Sequence, residues 1–235
     1  MPRRQIHSQP TIVSFSGIDG AGKSTQIHDL QESLLERNMR VRVIRFWDDI
    51  ACLKKIRERA GSLLFGGDAG VGIPAAPIHR RDKNVQSIAM TALRYLLYFL
   101  DAIAVYHGAK TARRAKTDVV IFDRFIYDEL ANLDPKSRIN RIYSRLIMKF
   151  VPRPDISFIL DAEPDVAHAR KPEYPLEFVI SNRDSFLALS ALIGEMTVIA
   201  PMEVEATRQA IHRELFLAVP RLRFSPGAFC LPVEL

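Results

Sequence analysis

The run Gly17-Ile18-Asp19-Gly20-Ala21-Gly22-Lys23-Ser24 constrains this chain more than any other feature, because it has the spacing G-x-x-x-x-G-K-[ST] and lies between a strand signal and a helix signal. Before it, residues 11–15 are apolar and β-rich; after it, Ile27, Leu30, Leu34 and Leu35 recur at helical spacing. Strand, glycine-rich turn and helix in that order make an anion cradle. The glycines let backbone N–H groups turn inward, the helix start offers its positive end, and the lysine adds a full charge. The run therefore predicts a nucleotide triphosphate held by Gly17, Gly20, Ala21, Gly22, Lys23, Ser24 and Thr25, with the Ser24 hydroxyl on a magnesium ion.

The rest of the chain repeats the strand and helix alternation. Asn38 stands where a left-handed helix cap would fall, and residues 41–46 read as a second strand ending at Trp47-Asp48-Asp49. A short helix over 53–59 and a mobile glycine- and proline-rich loop over 61–77 are predicted next. Val85, Ile88, Ala92, Leu96, Phe99, Leu100 and Ile103 mark one face of a long helix, and 119–122 reads as a buried strand that ends at Asp123-Arg124. Ile139, Ile142, Leu146, Ile147 and Phe150 form another helical stripe. A strand over 156–160, helices over 165–170 and 176–193, a strand over 197–199 and a helix over 203–218 complete the pattern. Such alternation predicts an α/β fold, a mainly parallel sheet with helices on both faces. One domain over 11–218 is expected between a tail at 1–10 and a tail at 219–235.

Composition narrows the function classes. With 235 residues, 48% of them hydrophobic, the chain can bury a full sheet between two helical layers. Cys52 and Cys230 have neither a disulfide framework nor zinc spacing, no signal-peptide core follows Met1, and Arg94 and Asp101 interrupt the most apolar helix. A cytoplasmic protein with no membrane partner is the expectation. The net charge of +6 is scattered rather than gathered into a nucleic-acid face, so an anionic small molecule is the expected partner.

Asp123, at the end of a buried strand, suits a carboxylate that supports magnesium, while capping of the next helix is its structural alternative. Arg124 suits bidentate contact with a phosphate, or an ion pair with a neighbouring carboxylate. Trp47 has two roles open to it, stacking on an acceptor base or packing in the core.

Three segments together resemble the thymidylate kinase family: Gly17 to Gln26, Asp123-Arg124-Phe125-Ile126-Tyr127, and Pro154 to Asp161 with Pro164-Asp165-Val166-Ala167. The resemblance extends over most of 11–218 and implies a three-layer αβα sandwich, the P-loop NTPase fold, around a five-stranded parallel sheet. It also implies ATP and Mg2+, a homodimer, and a lid at about 168–184 that contains Arg170 and Arg183. By position, Lys23, Arg124, Asp123 and Asp19 are the expected catalytic groups, with Arg170 at the nucleotide. Asp19, Trp47, Asp48, Asp49, Arg94, Asp101 and Arg124 are expected at the acceptor, and Ser24 and Asp123 at the metal. The chain departs from the family pattern in three places. Arg45-Phe46-Trp47-Asp48-Asp49 replaces the usual Arg-Glu-Pro-Gly-Gly-like segment, Ala102 follows Asp101 where the family has an arginine, and Gly20 leaves the P-loop without one.

The leading expectation is phosphoryl transfer to a nucleoside monophosphate. An alternative is a kinase for a neutral hydroxyl, with Asp48 or Asp49 as general base. A third is a relative that binds nucleotide without transferring phosphate, suggested by a lid thin in arginine.

Overall fold

The computed structural model describes residues 9–50, 88–114 and 116–224. Strand β1 (Thr11–Ser16) is wholly buried and leads through the glycine run into helix α1 (Lys23–Glu36). Asn38 closes α1 with a φ of 59°, and its N–H donates to Leu35 O at 2.8 Å, as its sequence position predicts. Strand β2 (Val41–Arg45) follows and ends in a single π turn, Phe46–Ile50. The predicted helix at 53–59 and the loop at 61–77 lie outside the described residues.

Helix α2 (Ile88–Arg114) runs into β3 (Val119–Asp123), and a short helix α3 (Ile126–Leu130), absent from the sequence expectations, comes directly after. Helix α4 (Arg138–Phe150) is capped by the Ser137 hydroxyl, which accepts from Asn140 N. Then come β4 (Ile156–Leu160), α5 (Pro164–Arg170) with proline in its first turn, α6 (Leu176–Ile193), β5 (Thr197–Ile199) and α7 (Val204–Ala218). The sheet has the order β2-β3-β1-β4-β5, and every pair is parallel. β1 is thus central, and the carboxyl ends of β1, β3 and β4 meet along one edge, where an open α/β sheet binds its ligand.

Alternate residues of the strands feed two cores. Val13, Phe15, Ile121 and Phe158 pack with Leu30 and Leu34 of α1 and Ile211 and Leu215 of α7. Ile12, Val120, Phe122 and Ile159 face the opposite layer, with residues from α2 to α6. The second core extends past the predicted domain end on neither side, but the first does: Val219 and Leu222 are buried in it, and a 3-10 turn, Pro220–Phe224, lies where a tail is expected.

Two helical stripes turn out to face away from the core. On α2 the buried side is Tyr98, Asp101, Ala102, Val105, Ala109 and Ala112, whereas Leu96, Phe99 and Ile103 are exposed. On α4, Ile147 and Met148 are buried but Ile139, Ile142, Leu146 and Phe150 are exposed. Asp101 and the alanines dilute the apolar signal of the face that α2 buries, so periodicity selects the outer one. Among the described residues no helix is long and apolar enough to cross a membrane.

Candidate active site

The P-loop leaves β1 as a chain of positive-φ glycines: Gly17 at 137°, Gly20 at 85° and Gly22 at 86°. Two of them are also closed to a side chain by their neighbours, and the third is not. At Gly17 a Cβ would collide with the backbone oxygen of Leu160 in β4, and at Gly20 with the backbone of Ala167 in α5. At Gly22 a Cβ would meet nothing within 4 Å, so the residue that caps α1 borders open space. No side chain caps α1 and no acid stands in its first turn, which leaves its N–H groups and its dipole facing that space. An uncapped helix start of this kind favours an anion.

Lys23 is buried, and its Nζ donates to Gly17 O and Ile18 O, each at 2.7 Å. Burial lowers its pKa to about 8, and Arg124 adds to the effect. Ser24 and Thr25 are exposed on the first turn of α1. Asp123 ends β3 opposite Phe15 and is half-buried within electrostatic range of Lys23. Phe125, not Asp123, is the cap residue of α3, so the helix-cap alternative for Asp123 is set aside.

Arg124 has a φ of 68°, left-handed for a residue with a side chain, and its N–H donates to Phe15 O at 2.9 Å. Its guanidinium bridges two carboxylates. Nη2 donates to Asp19 Oδ1 in the P-loop, and Nη1 donates to Asp128 Oδ1 in α3 at 3.1 Å. Burial works to lower the Arg124 pKa, and Asp128 and Asp19 more than reverse it, so the side chain is held charged. Burial acts to raise the Asp19 carboxyl, but Arg124, Lys23 and Lys171 hold it at about 2. Burial raises Asp128 instead, with Arg124 and Lys23 pulling the other way.

Sequence reasoning missed two members of this cluster. Asp128 stands four residues after Arg124, the spacing of a helical ion pair, which is the one signal that could have found it. Lys171 follows α5 and places Nζ 3.9 Å from Asp19 Oδ1 and 3.1 Å from Glu173 Oε1. Arg170, expected at the nucleotide, is exposed at the end of α5. Arg183 forks onto Asp161, with Nε to Oδ1 at 2.7 Å and Nη2 to Oδ2 at 2.8 Å, and also meets Glu163, which ties α6 to the end of β4.

The expected acceptor residues divide. Trp47 is half-buried, packs on the core and meets Phe46 edge-on at 5.1 Å. Asp49 Oδ2 accepts from Arg45 N at 2.8 Å and caps the π turn, while Asp48 is exposed. Asp101 is fully buried on the inner side of α2, where it helps raise the Tyr143 pKa that burial chiefly sets. Arg94 is half-buried on α2.

No family model matches the chain. It is 31% identical over 207 residues to a protein of Pyrobaculum aerophilum named "Probable thymidylate kinase", covering 83% of this chain and 92% of that one. The chain belongs to the thymidylate kinase family. The thymidylate kinase of Chlorobaculum parvum is 29% identical over 237 residues, 90% of this chain and 96% of that protein. The crystal structure of the thymidylate kinase from Ehrlichia chaffeensis superposes with a TM-score of 0.55 at 22% identity, covering 88% of this chain and all of that one, and shows the same fold. Against the family pattern, the missing P-loop arginine acquires a steric cause: α5 lies against Gly20 and leaves no room for any side chain.

Proposed function

We propose that the protein transfers the γ-phosphoryl group of ATP to the phosphate of thymidine monophosphate, giving ADP and thymidine diphosphate. The observation that carries this reading is Arg124, a charged guanidinium fixed between the P-loop carboxylate Asp19 and Asp128 at the mouth of the phosphate cradle. Membership of the thymidylate kinase family supports the choice of acceptor.

The acceptor phosphate is already ionised, so no strong base is required, and positioning with electrostatics is the main task of the protein. An acceptor oxygen forms the new bond to the γ-phosphorus as the bond to the β,γ-bridging oxygen breaks, and ADP leaves with that electron pair. Lys23 would leave the loop carbonyls Gly17 O and Ile18 O for the β- and γ-phosphates. Arg124 would neutralise charge between donor and acceptor, and Lys171 supplies from the lid a cation that the P-loop cannot. Ser24 and Asp123 would hold magnesium, which when bound offsets charge on the phosphate oxygens. Their hydroxyl and carboxylate oxygens are hard donors suited to it.

The test is ADP release from ATP and magnesium across nucleoside monophosphates and the matched unphosphorylated nucleosides, with Lys23→Ala as blank. Turnover of thymidine monophosphate is expected. Turnover of unphosphorylated nucleosides alone would replace this reading with a hydroxyl kinase, and none at all with a silent relative.

The assembly we propose is a homodimer through α2 and α4. These helices meet where Tyr95 stacks on Tyr143 at 4.3 Å, with the Tyr143 hydroxyl donating to Tyr95 O. By helical spacing, Leu96, Phe99, Ile103 and Tyr106 lie on the outer side of Tyr95, and Ile139, Ile142, Leu146 and Phe150 on the outer side of Tyr143, so one apolar face spans the seam. Ile139 and Ile142 are 67% and 65% exposed, too much apolar surface in one patch for an isolated soluble face. A row of exposed Arg138, Arg141, Arg145 and Lys149 borders the α4 stripe.

A further inference from the structure

We infer that Asp128 is the positioning residue that keeps the Arg124 guanidinium over the P-loop while Asp19 is released to the acceptor. The inference deepens the kinase reading and rests on it only for its kinetic consequences.

Arg124 is rooted by its left-handed backbone and by the bond from its N–H to Phe15 O, but its long side chain needs an anchor at the far end. Two are present, and they differ. Asp19 is in the P-loop, its side chain 25% exposed, shared between Arg124 and Lys171. A carboxylate so placed is able to exchange partners when a substrate arrives. Asp128 has no such freedom, because its side chain is 3% exposed and both oxygens are committed. Oδ2 accepts from Ser16 Oγ at 2.7 Å and from Phe125 N at 3.3 Å, and Oδ1 accepts from Arg124 Nη1.

The donors that fix Asp128 are themselves rigid. Ser16 is the last residue of the central strand and fully buried, and Phe125 N belongs to the cap of α3. Asn132 Nδ2 donates to Asp128 O at 2.9 Å and secures the backbone beneath the carboxylate. The end of β1 therefore determines, through Ser16 and Asp128, where Arg124 points. Asp128 is buried, and Arg124 is the one catalytic group to which its carboxylate is hydrogen-bonded, so Arg124 is the group that it positions, while Lys23 feels it only as a charge at a distance.

Asp128→Asn keeps the shape of the side chain and removes the charge that faces Arg124. One readout needs no acceptor: the side-chain N–H resonances of Arg124 in isotope-labelled full-length protein, assigned by their loss in Arg124→Lys. We expect hindered, resolved guanidinium signals in the wild type and averaged ones in Asp128→Asn. The second readout is steady-state kinetics. Asp128→Asn should lower kcat by about 10- to 100-fold with the KM for ATP changed less than about threefold, and should cost under about twofold in an Arg124→Lys background, since two residues acting as one unit are not additive. A purely structural role would lower kcat equally in both backgrounds. That outcome overturns the inference, as does a freely rotating Arg124 in the wild type, which is decisive even if Asp128→Asn fails to fold. If the wild type phosphorylates no monophosphate, the proposed function fails, and the Arg124 resonances alone decide the role of Asp128.

Discussion

Among single residues, Lys23 has the most distinctive dependence on pH. Its folded pKa of about 8 lies below the ordinary 10.5, so between those values the unfolded chain binds the proton that the folded chain has given up. Stability without nucleotide should therefore rise with pH across that window, by about 2 kcal/mol, and the cost of the buried ammonium is carried in full below it. Chemical denaturation of wild type and Lys23→Met at pH 7.5 and 9.5 checks this: the rise should be present in the wild type and nearly absent in the variant, in which turnover is also lost. Lys171→Ala should keep ATP binding while lowering kcat about tenfold or more, because a cation near the transferred group acts mainly in the transition state. A loss confined to the KM for ATP would instead make Lys171 a plain nucleotide contact. The P-loop side of the site was legible in the sequence because the glycine spacing is a backbone requirement. Asp128 was not, because what gives it a role is the end of a strand 112 residues away.

Among elements, the P-loop and α5 form one packed unit. Gly20→Ala would combine a strained positive φ with a collision against Ala167, and should destabilise the protein by about 2 kcal/mol or more. Gly22→Ala has the strain without the collision, so it should cost about 1 kcal/mol of stability yet weaken nucleotide binding, because its Cβ points into the open cradle. Equal shifts of the denaturation midpoint in the two variants would contradict this division of roles. Most elements were read correctly from the sequence, α6 and β5 to the residue, since proline, glycine and apolar spacing mark their ends. Helix α3 escaped notice because five residues are too few to show a period. The outer faces of α2 and α4 were read as helical stripes, correctly as to period, but a sequence period does not say whether the core or a second chain covers the stripe.

For the whole molecule, the proposed dimer should appear as twice the 26.6 kDa chain mass in sedimentation, and Ile142→Glu with Leu146→Glu should return it to a monomer that still binds ATP. A wild-type monomer at micromolar concentration would rule the interface out. The row of Arg138, Arg141, Arg145 and Lys149 beside the apolar stripe gives that assembly an unusual response to its medium. α4 has no acidic residue, and the one acid of α2, Asp101, is buried, so neither helix offers an exposed carboxylate to a second copy's arginines. Like charge would be brought together as apolar surface is covered, and dissolved salt would shield the first without weakening the second. Two copies of this chain should therefore hold each other more tightly in concentrated salt than in dilute buffer, the reverse of a partnership steered by opposite charge.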